Sequence, residues 1–282
     1  MKRILVPCDF STPARQAYKF AINLAIASKG EVIVVHIIPT PIIYETTFGI
    51  QPYPLNPLVI QELEANAKKA FERMKKAHPA SVNMPISFFS LYEDLVPGIL
   101  AFIKRKKIDL IVMGTHGSSG FEEFMVGSNT EKIVRLSTVP VMAVRKAPFF
   151  SSIKNIVFPN TLELNQTELM NHVKNLQKFF DATLHILFVN TPTHFKKDQD
   201  AKGAMLDFVK HYKLPNYTVN FRNDAHERNG ILDFVKETNA DMLAMATHGR
   251  KGLTHLFSGS VAESVVNHIE CPIWTFNLRS KK

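Results

Sequence analysis

The sequence repeats itself. Residues 98–104, Gly-Ile-Leu-Ala-Phe-Ile-Lys, return at 230–236 as Gly-Ile-Leu-Asp-Phe-Val-Lys, an offset of 132. At the same offset Thr115-His116-Gly117 meets Thr247-His248-Gly249, Gly127-Ser128 meets Gly259-Ser260, and Pro140 meets Pro272. Over 98–145 there are 16 identities in 48 ungapped positions. Nearer the start of each copy the offset becomes 152, pairing Ile4-Leu-Val-Pro7 with Ile156-Val-Phe-Pro159. A repeat of this length constrains the chain to two copies of one fold. The copies divide into domains at 1–147 and 148–282, and the first carries 20 additional residues. These fall at 39–58, a stretch holding five prolines. A loop that long in a compact domain is either functional or disordered.

Within each copy short apolar runs alternate with segments of helical period. The first copy predicts strands at 3–8, 31–38, 85–91, 110–114 and 139–145, and helices at 12–28, 58–77, 94–106 and 128–136. The second predicts strands near 154–158, 182–189, 216–222, 241–246 and 272–277. Ser11 or Thr12 followed by Pro13 is a helix-start signature. Nearly continuous apolar strands between helices indicate a parallel sheet covered on both faces. The fold class is therefore α/β: two tandem, doubly wound, five-stranded Rossmann-like domains, each expected to bind ligand beyond the carboxyl ends of its strands.

Composition narrows the function. With 45% apolar and 21% charged residues the chain is globular, and no apolar stretch reaches membrane-spanning length. After Lys2 and Arg3 the apolar run ends at Val6, too short for a signal peptide, so a cytoplasmic location is expected. Cys8 and Cys271 form no Cys-x-x-Cys pair, which argues against a disulfide framework or a cysteine zinc site. The net charge of +9 is spread along the chain. Its densest run, 104–107, ends an expected helix, where cations meet the helix dipole, so a nucleic-acid partner is not expected.

The chemistry concentrates after the fourth strand, where Gly114-Thr-His-Gly117 is followed after nine residues by Gly127-Ser128 opening a helix. Such a segment presents unpaired amides and a helix dipole to an anion, and glycines let it approach. Phosphate binding and plain turns are equal readings of these glycines. The segment is neither a Walker A motif nor a Gly-x-Gly-x-x-Gly fingerprint, and it lacks the lysine that assists phosphoryl transfer. At the end of the first strand Asp9 either accepts hydrogen bonds from a ribose or base, or caps the next helix. His116 and His248 lack a second ligand at helical spacing and read as structural or phosphate-facing, with no metal site. The other histidines, His36 and His194 among them, read as surface or edge residues. Cys8 reads as a small buried thiol. Gly-x-Ser-x-Gly never occurs, which excludes a nucleophile elbow, and no catalytic residue is assigned.

Gly114-x-x-Gly117-x9-Gly127-Ser128, with the opening Ile-Leu-Val-Pro-Cys-Asp-Phe-Ser, resembles the universal stress protein family in its ATP-binding subclass, and two copies in one chain resemble its tandem form. The resemblance covers nearly the whole sequence and implies an adenine nucleotide alpha hydrolase-like fold. It implies that Asp9, beside Pro7, contacts adenine or ribose, that Ile37 offers backbone contacts to adenine, and that Gly114, Gly117, Gly127, Ser128 and Asn129 cradle ribose and phosphates. ATP or ADP, with or without Mg2+, is the implied ligand. The last strand of each copy, ending near Arg145 and Asn277, would pair the halves about a pseudo-two-fold axis, and a homodimer is a further implied assembly. In the second copy Ala246 replaces the first glycine and Thr161 replaces Asp9, while Gly249, Gly259 and Ser260 remain. The added methyl group is expected to obstruct ligand, which implies a degenerate second site. The implied function is a stress-response regulatory or protective module without efficient turnover. A slow ATPase, or a scaffold binding a metabolite, lipid or flavin at the degenerate site, stays open.

Overall fold

A computed structural model describes residues 1–38, 57–115, 128–248 and 269–278. The first half runs β1 (Arg3–Pro7), α1 (Thr12–Ser28), β2 (Glu31–Ile37), α2 (Pro57–Lys76), β3 (Ile86–Leu91), α3 (Leu95–Lys106), β4 (Leu110–Gly114), α4 (Ser128–Leu136) and β5 (Val141–Val144). The second runs β6 (Asn155–Pro159), α5 (Thr167–Phe180), β7 (Thr183–Asn190), α6 (Asp198–Tyr212), β8 (Tyr217–Asn223), α7 (Glu227–Glu237), β9 (Met242–His248) and β10 (Ile273–Leu278). The expected α/β order holds. Of the proline-rich insert at 39–58, only Pro57 and Leu58 are described, and they open α2.

Local chemistry sets the element ends. Ser11 caps α1, its hydroxyl accepting from the Ala14 amide at 3.4 Å, with Pro13 in the first turn. The helix stops where Lys29 turns left-handed (φ 49°) and its amide returns to the carbonyls of Ala25 and Ile26. α1 buries Ala14, Ala17, Tyr18, Ala21 and Leu24 against strands whose central residues are wholly buried. The cationic run Lys104–Lys106 occupies the last turn of α3, as the helix-end reading expects.

All ten strands form one sheet, in the order β3-β2-β1-β4-β5-β10-β9-β6-β7-β8. Every neighbouring pair is parallel except β5 and β10, which run antiparallel with Trp274 opposite Met142. The order is palindromic about that pair. Side chains reinforce it: Thr275 Oγ1 donates to the Val141 carbonyl at 3.2 Å, and Asn277 Nδ2 donates to the Arg135 carbonyl at 2.5 Å.

The same fastening recurs at the amino ends of the strands. Asp109, just before β4, accepts from the amides of Lys2 and Arg3 at 2.6 and 3.0 Å. Asp241, just before β9, accepts from the amides of Lys154 and Asn155 at 3.0 and 2.8 Å. The Lys2 ammonium donates to the carbonyls of Ser28 and Lys29 at the end of α1, and the Lys154 ammonium to those of Phe180 and Asp181 at the end of α5.

The two faces of the sheet differ. One is covered by a single apolar core running through both halves, from Ile4 and Phe20 to Phe208 and Trp274. The other holds two separate cores, one under α3 and α4 and one under α7. Among the described residues no helix is long and apolar enough to cross a membrane. Trp274 is 1% exposed at the junction of the halves. Trp274→Ala is expected to cost about 3–5 kcal/mol, measured by urea denaturation, with no folded intermediate in which one half survives.

Candidate functional site

In each half the chain leaves the sheet in opposite directions from two adjacent strands, β1 and β4 in the first half, β6 and β9 in the second. The crevice at such a switch point is open by construction. A cavity of about 310 Å³ occupies it in each half.

The first cavity gathers Pro7 at the end of β1 and Asp9 just beyond it, Ile37 at the end of β2, Gly114 at the end of β4, and Asn129 in the first turn of α4. Ser128 opens α4 beside it. Gly117, Gly127 and His116 lie outside the described residues, as do Gly249, Gly259 and Ser260 of the second half. The exposed Asp9 is not the cap of α1, since Ser11 takes that place. Its Oδ1 accepts from the Ser11 amide at 3.0 Å, which fixes the carboxylate at the cavity mouth. The turn is made by Phe10 at φ 63°, a left-handed conformation held by Arg15, whose Nε donates to the Phe10 carbonyl at 3.0 Å. Leu162 repeats that conformation in the second half, at φ 67°.

His36 is a lining residue that the sequence reading placed at a surface or edge. Its Nδ1 donates to the Cys8 carbonyl at 2.8 Å and its ring lies 4.9 Å from that of Phe10. Cys8 is 5% exposed, and burial pushes its thiol up to about 11, so it is an inert core residue.

Gly114 has a structural reason for being glycine. A Cβ there would lie 2.3 Å from the carbonyl carbon and oxygen of Pro13, where α1 begins. Helix α1 therefore approaches β4 only because the side chain is missing. In the second half seven residues, 160–166, separate β6 from α5, against four, 8–11, between β1 and α1. Ala246 there lines the cavity. The methyl group expected to obstruct ligand thus stands where the preceding loop is longer.

The second cavity replaces several lining residues. By the two repeat offsets Thr161 stands for Asp9, Phe188 for His36, Val189 for Ile37 and Glu227 for Leu95. Asn160 Oδ1 accepts from the Leu162 amide at 2.7 Å, and its Nδ2 donates to Gln166 Oε1 at 2.8 Å. Glu227 was not singled out from the sequence. Burial raises its carboxyl to about 7, and His194 Nδ1 lies 3.7 Å away. Among the described residues no group of His, Cys, Asp and Glu could hold a metal ion.

The sheet order, the paired switch points and the two cavities define a duplicated Rossmann-like α/β protein. The family model for the universal stress protein family matches residues 1–145 and again 152–277, and the chain belongs to that family. Among curated relatives, universal stress protein YxiE of Bacillus subtilis is 29% identical over 147 residues, covering 51% of this chain and 98% of the relative. Universal stress protein A homolog 1 of Coxiella burnetii is 30% identical over 145 residues, covering 51% of this chain and 95% of the relative. A solved universal stress protein from Archaeoglobus fulgidus superposes over 98% of both chains with a TM-score of 0.76 at 18% identity, so the tandem fold is shared.

Two outcomes follow. Gly114→Ala is expected to cost about 1–3 kcal/mol in chemical denaturation, because Pro13 backbone must move, while Asp9→Ala leaves stability within about 0.5 kcal/mol. Glu227 has a higher pKa folded than unfolded, so its protonated form favours folding; that advantage is complete below about 4.5 and lost as pH rises through about 7. After allowance for partial exposure, Glu227→Gln should match the parent near pH 4 and exceed its stability by on the order of 1 kcal/mol near pH 8, in thermal melts across that range.

Proposed function

We propose that the chain binds ATP or ADP in the first-half cavity and serves as a stress-response module whose nucleotide state, rather than catalytic turnover, is its output. The observation that carries this reading is the convergence of Asp9, Ile37, Gly114 and Asn129 with the start of α4 at one switch point. Asp9 offers a fixed acceptor for ribose or base donors, Ile37 a strand end for the ring, and α4 its first-turn amides for phosphate. With no catalytic residue assigned, slow hydrolysis is the second reading, and sustained turnover would favour it.

The same reading divides the chain into a nucleotide-competent domain, 1–147, and a second domain, 148–282, whose lining departs from that set. The two act as an intramolecular pseudo-dimer joined through β5 and β10, in the cytoplasm; a homodimer of chains would be a further level of assembly. Equilibrium dialysis with Mg-ATP is expected to give one site per chain, weakened about tenfold by Asp9→Ala with the fold intact. Two equal sites, or no binding, would refute the assignment.

A further inference from the structure

The second-half cavity sits at the corresponding place in the fold yet offers different chemistry. Its floor is apolar, from Leu187, Phe188, Val189, Ile231 and Met245. One wall is set in advance: Asn160 and Gln166 are joined by their amides at 2.8 Å, and the Gln166 backbone amide donates to Tyr212 Oη at 2.8 Å. Into this space the first residue of α7 brings the Glu227 carboxyl, with a side chain only 12% exposed. His194 Nδ1 stands 3.7 Å from it, beyond hydrogen-bond distance. Glu163 adds a second acidic group to the lining and Lys196 a basic one. The first half has Leu95 where Glu227 stands.

A carboxyl sheltered from water is costly unless it is paired with donors. A phosphate brought beside Glu227 and Glu163 would add like charge, whereas a ligand bearing N–H donors and a positive charge would pair with the Glu227 carboxyl, which accepts no hydrogen bond from His194. A cavity of about 310 Å³ is at the lower end of those that hold small organic ligands.

We propose that the second-half cavity binds a small organic cation, a protonated primary amine or amidine on an apolar body, with Glu227 as its counter-ion. This site uses none of the residues assigned to nucleotide. The test is calorimetric titration of the full chain with benzylamine and with its neutral counterpart benzyl alcohol, each without and with saturating Mg-ATP. Benzylamine is expected to bind about tenfold or more tightly than benzyl alcohol, and ATP to leave that preference unchanged. Glu227→Gln, and separately Glu227→Leu, should abolish the preference while retaining cooperative unfolding. Absence of benzylamine binding, equal affinity for the two probes, a preference that survives both substitutions, or displacement of benzylamine by ATP would each overturn the proposal. Failure of ATP to bind bears only on the first-half assignment and leaves the benzylamine result standing.

Discussion

The antiparallel pairing of β5 with β10 is the contact on which the rest of the molecule depends. A five-stranded parallel sheet ending at β5 would expose a row of unpaired backbone groups and the apolar residues Val141 to Val144. Joining the two such edges satisfies both at once, and it places Trp274, Thr275 and Asn277 where each is buried. The remaining edges, β3 and β8, are partly exposed strands at the far ends of the sheet. The shared core on one face follows from this pairing, because the helices packed there cover a sheet that does not stop between the halves.

Against that common frame the copies have diverged selectively. The carboxylates before β4 and β9 make matching bonds, and so do the lysines before β1 and β6. These groups lie at the amino ends of the strands. At the carboxyl ends the replacements change charge and size: Asp9 to Thr161, His36 to Phe188, Leu95 to Glu227. The first set ties backbone segments together in both halves, whereas the second set faces a cavity and differs between them.

Much of the fold was legible in the residues. The bounds of α1, β4 and α4 agree with those read from Ser11-Thr12-Pro13, from the apolar run before Gly114 and from Ser128. Strand ends were less so. β5 is shorter than its apolar run because Val139 is engaged by Ser137, and β9 extends to His248 because β10 pairs with it that far, a tertiary fact. Pro7, Asp9, Ile37, Gly114 and Asn129, which the family resemblance picked out, line the first cavity. His36 was missed because alternation along β2 says nothing of the Cys8 carbonyl that the end of the neighbouring strand β1 brings to it. Glu227 was missed because an acidic residue opening a helix looks like a solvated dipole partner. Comparing the copies position by position, where leucine meets glutamate, would have exposed it. The reason for Gly114 was hidden too, since its neighbour Pro13 is distant in sequence.

The division of the apolar interior has a consequence for how the halves communicate. Helices α3 and α7, which bring Leu95 and Glu227 to their cavities, belong to the two separate cores, whereas α1 and α5 share one. Global unfolding must disrupt the shared layer, so a ligand held in either half resists denaturation of the entire chain by mass action. The architecture thus gives the two halves one common apolar layer on one face of the sheet and a separate core beside each cavity on the other.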